Sequence, residues 1–256
     1  MTVPLLTLKG IRKSFSGKPV LQGIDLDVYQ GDSLVILGGS GAGKSVLMRH
    51  LIGLMQPDEG YVLFKGANMA DMTSSEVYET RRHFGMSFQE GALFDSLNVF
   101  ENIAFPIRRH RRHWSLAKIT ARVQECLEMV GMPNVAKLMP SELSGGMRRR
   151  VGFARSIALE PDILLFDEPT TGLDPVMTSV LNDVIISLRT QLNATSITIT
   201  HDMSSARAIA TRLAMLFQGQ LVFEADRDAF FETDHAIVRQ FVEGNATGPL
   251  TEALMK

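Results

Sequence analysis

The sequence predicts an α/β fold, in which buried strands alternate with helices along most of the chain. Compact apolar runs typical of buried strands occur at 33–37 and 163–166, and a further strand is predicted at 196–200. A glycine cluster follows the first run, and a helical pattern then extends from 45 to 54. A strand, a glycine loop and a helix in this order are typical of the start of an α/β unit.

The remaining elements follow the same reasoning. Alternating apolar and polar residues predict two strands near 6–10 and 24–29, joined by a turn at 17–19. Later patterns predict strands at 61–64, 84–88 and 213–217 and a helix at 180–188. Between about 97 and 158 the pattern is helical, so we expect a helical segment, at about 92–158, inserted in the α/β core.

One predicted helix has an apolar face, because apolar residues recur at spacings of three or four: Leu116, Ile119, Val123, Leu127 and Val130. Cys126 lies beside this face and is predicted to be a small packed thiol. The tail from Gly244 has few large apolar residues, so we expect a loose extension over 242–256.

Composition excludes several classes of protein. The 256 residues carry a net charge of −2 and are 45% hydrophobic, which excludes disorder for most of the chain and gives no overall reason to expect nucleic-acid binding. The longest run free of charged residues, 190–201, is too polar and short to span a membrane, since a spanning helix needs roughly 20 apolar residues. The N-terminal residues show no secretory signal, and the single Cys126 allows no internal disulfide. We therefore expect a cytoplasmic chain.

The most specific motif is a glycine-rich loop, named here the phosphate loop, that fits the pattern G-x-x-x-x-G-K-[ST] over Gly38, Gly39, Ser40, Gly41, Ala42, Gly43, Lys44 and Ser45. Glycines let successive backbone N–H groups point at phosphate oxygens, and the helix that follows adds the positive end of its dipole. Lys44 offers a cation to the β- and γ-phosphates. The Ser45 hydroxyl is a candidate Mg²⁺ ligand.

Two adjacent carboxylates end the predicted strand at 163–166. Asp167 is a candidate for holding Mg²⁺, usually through a water. Glu168 is the next residue, so its side chain is expected to point to the opposite side of the strand from Asp167. It is a candidate general base for an attacking water.

A second glycine cluster, named here the signature segment, comprises Leu143, Ser144, Gly145 and Gly146 and precedes a helix-like stretch to Leu159. Glycines before a helix N-terminus, with a serine hydroxyl added, predict another anion site. A plain loop-to-helix junction is the alternative.

In this order the motifs resemble those of the nucleotide-binding subunits of ATP-binding cassette (ABC) transporters, over about 5–241. The resemblance implies a P-loop NTPase of the ABC class with a RecA-like core, an N-terminal antiparallel β subdomain and an inserted α-helical subdomain. It implies ATP hydrolysis with Mg²⁺. It also implies a second copy of the chain as partner, because in this family the signature of one subunit covers the ATP held by the other.

The resemblance also assigns roles. Phe15 matches the ring that stacks on adenine, with core packing as the alternative. Gln89 matches the glutamine that contacts Mg²⁺ and water and senses the membrane partner, so the implied metal set is Ser45, Gln89 and Asp167. Glu168 matches the catalytic glutamate, Asp174 the D-loop aspartate, and His201 the switch histidine at the γ-phosphate.

Two residues depart from the family pattern. Met147 stands where the signature usually has glutamine, and Gly172 stands where many members have alanine. Because Ser144, Gly145 and Gly146 are intact, we expect activity.

Three stretches, at 91–100, 137–147 and 239–249, resemble the ATPases of bacterial phospholipid-trafficking systems and their chloroplast relatives. Those proteins also have methionine at the position that corresponds to Met147. This resemblance implies a place on the cytoplasmic side of the inner membrane. The implied partners are an integral-membrane permease, an MCE-type substrate-binding protein and a small STAS-domain protein. An ABC ATPase for another solute, such as amino acids, and a non-transport ABC ATPase are the alternatives.

A basic run at 108–114 contains four arginines, two histidines and one tryptophan. It fits a solvated loop between helices, or a contact with anionic lipid head groups. Its small footprint argues against nucleic acid.

Overall fold

A computed structural model of the chain describes residues 3–89 and 91–254. These residues divide into two compact units. The first unit comprises residues 3–28, 32–70 and 201–254, and the second comprises residues 29–31, 71–89 and 91–200. The expected inserted segment at 92–158 lies in the second unit, and its boundaries stay a prediction.

The strands of the described residues are, in chain order, β1 (Leu6–Phe15), β2 (Lys18–Val28), β3 (Ser33–Leu37), β4 (Glu59–Phe64), β5 (Ala67–Asn68), β6 (Phe84–Ser87), β7 (Ile163–Asp167), β8 (Thr195–Thr200), β9 (Arg212–Phe217) and β10 (Gln220–Asp226). The helices are α1 (Lys44–Leu51), α2 (Ser74–Thr80), α3 (Val99–His110), α4 (Leu116–Met129), α5 (Gly145–Ser156), α6 (Pro175–Gln191), α7 (Met203–Ile209), α8 (Arg227–Glu232), α9 (Ala236–Glu243) and α10 (Pro249–Leu254).

The first unit contains an antiparallel sheet in the order β2-β1-β4-β5. The register places Leu6 opposite Val28 and Leu8 opposite Leu26, and all four side chains are buried. Alternation along β1 therefore puts one face of this sheet on a core, as the sequence predicts.

The same unit contains β3, which pairs in parallel with β9, while β9 pairs antiparallel with β10. Every residue of β3 is buried, which agrees with its continuous apolar sequence. The chain leaves β3 at Leu37 and enters the phosphate loop directly.

The second unit contains the parallel strands β6, β7 and β8, with β7 in the middle. Helix α5 packs its Phe153 ring edge-on against Phe166 of β7, with the ring centroids 4.9 Å apart. Both rings are fully buried, so the helix that carries the signature segment is fixed to the strand that carries the two carboxylates.

The apolar face predicted for α4 is confirmed except at its start. Ile119, Val123 and Leu127 are buried, whereas Leu116 is 66% exposed because it is the first residue of the helix. Cys126 is fully buried, and burial raises the pKa of its thiol to about 12. The helix also buries Arg122, which donates hydrogen bonds to the carbonyls of Ile157 and Ala158.

The described part of the tail differs from the loose extension that its composition predicts. Gln240 of α9 is buried and donates from Nε2 to the carbonyl of Asn245, while its Oε1 accepts the amide of Leu250 at 2.7 Å. Nε2 also contacts the hydroxyl of Thr251. One buried side-chain amide thus holds α10 against α9. Residues 255 and 256 lie outside the described part.

The basic run spans the end of α3 and the loop before α4. The His110 ring stacks on Tyr78 at 4.7 Å, and the Trp114 ring lies under the Lys118 ammonium at 4.2 Å. Arg109 and Arg112 are exposed. Part of the run therefore packs against its neighbours, and the rest faces solvent.

Candidate functional site

The phosphate loop needs glycine at several positions for geometric reasons. A Cβ at Gly38 would lie 2.5 Å from the carbonyl oxygen of Leu216 on β9, so no larger residue fits there. Gly41 and Gly43 have φ of +77° and +103°, a region that favours glycine. The loop backbone is therefore tightly curled between β3 and α1.

Lys44 and the start of α1 supply the positive charge of the loop. The Lys44 ammonium donates to the carbonyls of Gly38 and Gly39 at 2.7 and 3.0 Å. Gly43 caps α1 without a side chain, which leaves the first-turn N–H groups open to an anion, and the adjacent Ser45 is exposed. This arrangement suits the phosphates of a nucleotide.

Phe15 ends β1, which belongs to the same unit as the phosphate loop. Its ring is 42% exposed, which argues against core packing, and the Lys13 ammonium lies 5.9 Å from the ring centroid. The adjoining strand β2 contacts the loop closely, because a Cβ at Gly43 would lie 3.0 Å from the carbonyl oxygen of Val20. The exposed ring is thus available to stack on a flat base.

His201 also lies in the first unit, between β8 and α7 in the chain, and it is exposed. Asp202 follows it and caps α7 by accepting from the backbone and hydroxyl of Ser204 and from the hydroxyl of Ser205. Burial raises the pKa of Asp202, but these hydrogen bonds outweigh it and hold the pKa below its ordinary value. A fixed, charged cap therefore anchors the residue next to His201.

The two carboxylates lie at the carboxyl end of β7 in the second unit. Glu168 has a left-handed backbone with φ of +49°, and its N–H donates to the carbonyl of Ile199 at 2.8 Å. The Thr171 hydroxyl donates to Glu168 Oε2 at 3.0 Å. A left-handed glutamate costs about 1–3 kcal/mol, and such strain concentrates at functional sites.

The signature segment lies at the N-terminus of α5. Ser144 caps the helix by accepting the amide of Met147 at 3.3 Å. A Cβ at Gly145 would meet nothing within 4 Å, whereas one at Gly146 would lie 2.5 Å from the terminal methyl of Met177. Leu143 is buried, whereas Ser144 and Gly145 are exposed. The buried leucine therefore anchors the exposed residues that follow it.

Gln89 follows β6 with an exposed side chain, and its carbonyl accepts the Nε–H of Arg149 at 2.9 Å. Arg149 also donates from Nη2 to the carbonyl of Thr171. The sequence does not single out Arg149. Three arginines follow the signature segment in a row, and the sequence does not indicate which of them is buried.

Asp174 caps α6 by accepting the amides of Val176 and Met177, both at 2.9 Å. Gly172, two residues before, has φ of +75°, so alanine there would be strained. The departure at Gly172 therefore suits the conformation of this loop.

The predicted residues fall into two groups. The phosphate loop, Phe15 and His201 belong to the first unit, whereas Gln89, the signature segment, Asp167, Glu168 and Asp174 belong to the second. The described residues contain no cluster of three His, Cys, Asp or Glu side chains fit to hold a metal. Mg²⁺ held on a nucleotide needs only one or two protein oxygens besides phosphates and waters, and the Ser45 hydroxyl of the first unit and the Asp167 and Gln89 side chains of the second are each oxygen donors of the kind that Mg²⁺ takes.

An apolar cleft of about 380 Å³ lies in the second unit beside the chain that follows Gln89. Phe88, Phe94 and Phe105 line it, and each ring is between 43% and 46% exposed. The Phe94 and Phe105 centroids are 4.9 Å apart, and the Arg155 guanidinium lies 5.6 Å from the Phe94 centroid. No helix within the described ranges is both long and apolar enough to cross a bilayer.

Comparison with known proteins identifies the family. Residues 21–171 match the family model described as ABC transporter. The chain is 39% identical to the intermembrane phospholipid transport system ATP-binding protein MlaF of Escherichia coli K12, over 96% of this chain and 91% of that protein. It is 37% identical to MlaF of Haemophilus influenzae, over 98% and 94%. It is 40% identical to the probable ribonucleotide transport ATP-binding protein mkl of Mycobacterium leprae, over 96% and 70%.

Solved structures agree with the fold. The dimeric ATP-binding cassette MJ0796 in a post-hydrolysis state with ADP and Pi superposes with a TM-score of 0.79 at 30% identity, covering 87% of this chain and 98% of that one. CbiO1 of Clostridium perfringens, part of an ABC transporter complex, superposes with a TM-score of 0.83 at 26% identity, covering 93% and 94%. The chain therefore belongs to the ABC transporter ATP-binding family and is an ATP hydrolase with the ABC cassette fold.

Proposed function

We propose that this chain energises an ABC transporter that moves phospholipids at the inner membrane and sustains the lipid asymmetry of the outer membrane. The observation that carries the proposal is the similarity to MlaF proteins across 91% to 94% of their length. The match to mkl has higher identity but covers only 70% of that longer protein. Because that relative is named for ribonucleotide transport, ribonucleotides are the competing candidate for the transported substrate.

In the proposed reaction, the phosphate loop binds the ATP phosphates through backbone N–H groups and Lys44, and Phe15 stacks on adenine. Glu168 accepts the proton of the attacking water, and its strained backbone fixes the direction of the carboxylate. The Thr171 hydroxyl restrains the same carboxylate. His201 contacts the γ-phosphate, and Gln89 orients the water.

In this proposal Ser45, Asp167 and Gln89 would be the protein ligands of a Mg²⁺ ion bound together with the nucleotide. When bound, the ion neutralises charge on the transferring phosphoryl group. All three protein donors are oxygen ligands, which Mg²⁺ prefers.

We also propose that two copies of the chain form a head-to-tail dimer around two ATP molecules. Ser144 and Gly145 are exposed, and Gly145 leaves open space at the N-terminus of α5. Such a helix start suits the γ-phosphate of ATP held by the second copy. The Asp174 loop takes part in the same contact.

The membrane path belongs to other chains in this proposal. An MlaE-like permease docks a cytoplasmic loop in the apolar cleft at Phe94 and Phe105, where three exposed rings offer contact area beyond Gln89. This docking places the chain peripherally on the cytoplasmic side of the inner membrane. An MlaD-like MCE protein and an MlaB-like STAS protein complete the complex, without nucleic acid.

The test is reconstitution of the complex that co-purifies with the tagged full-length chain from detergent-solubilised membranes. In proteoliposomes, ATP should drive movement of labelled phospholipid, and the Glu168→Gln complex should not. The same vesicles loaded with labelled ribonucleotides or amino acids provide the comparison. ATP-dependent movement of a ribonucleotide without phospholipid movement would overturn the lipid assignment.

A further inference from the structure

Arg149 bridges two loops that surround the proposed chemistry. It lies on α5, is 9% exposed, and donates Nε–H to the carbonyl of Gln89 at 2.9 Å and Nη2–H to the carbonyl of Thr171. Burying a guanidinium is costly unless its hydrogen bonds are made. Here the planar fork holds two backbone segments that are far apart in sequence.

The backbone at Gly91 rests directly on α5. A Cβ at Gly152 would lie 2.8 Å from Gly91 Cα, so the two backbones touch with no side chain between them. A Cβ at Gly91 would in turn lie 2.7 Å from the carbonyl oxygen of Arg148. Arg155 adds a hydrogen bond from Nη2 to the carbonyl of Gly91 at 3.0 Å. This close packing fixes the backbone at Gly91 to α5, and the hydrogen bond from Arg149 fixes the carbonyl of Gln89 to the same helix.

The other end of the bridge reaches the catalytic carboxylate. Thr171 accepts Arg149 at its carbonyl and donates its hydroxyl to Glu168 Oε2 at 3.0 Å. A chain of three hydrogen bonds therefore runs from the carbonyl of Gln89 through Arg149 and Thr171 to the Glu168 carboxylate.

We propose that Arg149 is a positioning residue that ties the backbone of Gln89 to Glu168, so that displacement of Gln89 by a docked membrane partner changes the placement of the catalytic carboxylate. The proposal rests on the functions proposed above for Gln89 and Glu168. A guanidinium suits this task because its rigid fork serves two acceptors in one plane, whereas an ammonium is a point charge that keeps one of them.

The first test is Arg149→Lys in the full-length chain, with Arg122→Lys as the matched control. Arg122 is a second buried arginine that donates to two backbone carbonyls, those of Ile157 and Ala158, away from both loops. Both variants should lower the Tm. Only Arg149→Lys should lower kcat, by about tenfold, which corresponds to about 1.4 kcal/mol on the barrier, with KM for ATP within about twofold. An equal kcat for the two variants would overturn the proposal.

The second test measures communication directly. Arg149→Lys and Thr171→Val, which interrupt the chain of hydrogen bonds at two different points, are combined in a double-mutant cycle on kcat. Because either change already breaks the link to Glu168, their effects on kcat should be non-additive. Fully additive effects would contradict a bridge that runs from Arg149 through Thr171.

Glu168→Gln, measured beside these variants, separates failure of the inference from failure of the proposed function. Loss of turnover in Glu168→Gln with normal kcat in Arg149→Lys overturns the bridge alone. Near-normal turnover in Glu168→Gln overturns the proposed role of the carboxylate, and the inference with it.

Discussion

The Thr171 hydroxyl donates a 3.0 Å hydrogen bond to the Glu168 carboxylate, whose own backbone lies in the left-handed region with φ of +49°. The backbone conformation determines the direction of the Cα–Cβ bond of Glu168, and the Thr171 hydroxyl restrains the carboxylate at the other end of the side chain. A general base needs this fixed position, because its oxygen must lie within hydrogen-bond reach of the water it deprotonates.

Thr171→Val removes this restraint while keeping the shape of the side chain. We expect kcat to fall by about three- to tenfold, because the roughly 0.7–1.4 kcal/mol that one typical hydrogen bond contributes would be lost from the barrier, with ATP affinity unchanged. Steady-state ATPase assays and nucleotide titrations measure the two quantities. Thr171→Ser keeps the hydroxyl and should restore most of the rate; a slow serine variant would show that the methyl group, not the hydrogen bond, matters.

Gly38→Ala tests why the phosphate loop begins with glycine. The new methyl group would lie 2.5 Å from the carbonyl oxygen of Leu216, so β9 or the loop must shift. We expect a lower Tm and weaker ATP binding. Gly39→Ala is the matched control for stability, since a Cβ there meets nothing within 4 Å, and its Tm should stay near that of the wild type. Equal Tm values for the two variants would contradict the packing argument.

Cys126 provides a probe of core integrity. Burial raises the pKa of its thiol from 9.0 to about 12, so the neutral thiol persists in the folded chain while the unfolded thiol ionises near 9. The unfolded state therefore binds fewer protons between these values, and this group contributes stability that is lost as pH rises from 9 to 12. At pH 8, a thiol reagent should label Cys126 only after denaturant is added. Rapid labelling of the folded chain would show that α4 is not packed as described.

Much of the fold follows from sequence patterns because its central strands are buried on both faces. The run at 33–37 matches β3 at both ends, and the runs predicted at 163–166 and 196–200 become β7 and β8 with one added residue each. At 33–37 and 163–166, a short continuous apolar run with turn residues nearby indicates a strand that is buried on both faces. The phosphate loop is predicted on a different ground: glycines at this fixed spacing before a lysine and a serine are typical of one backbone conformation.

The features that sequence reasoning missed depend on distant contacts. The composition of the tail predicts a loose extension, yet Gln240 accepts a hydrogen bond from the amide of Leu250 and holds α10 in place. No local sequence pattern indicates that this glutamine is buried. Arg148 and Arg149 are neighbours of the same type, but the first is exposed and the second is buried between two loops. The face of α5 that packs inward determines which of the two arginines is buried, and the sequence alone does not define that face.

The central claim, that Glu168 is the general base of an ATPase whose phosphate loop works through Lys44, is tested most directly by ATP turnover and ATP binding in Glu168→Gln and Lys44→Ala. Glu168→Gln should lower turnover by ~10²–10⁴, the range for a lost general base, while it retains ATP and accumulates as an ATP-bound dimer. Lys44→Ala should lose productive ATP binding, because the cation is removed from the loop. Near-normal turnover in Glu168→Gln, or unchanged ATP affinity in Lys44→Ala, would contradict the account.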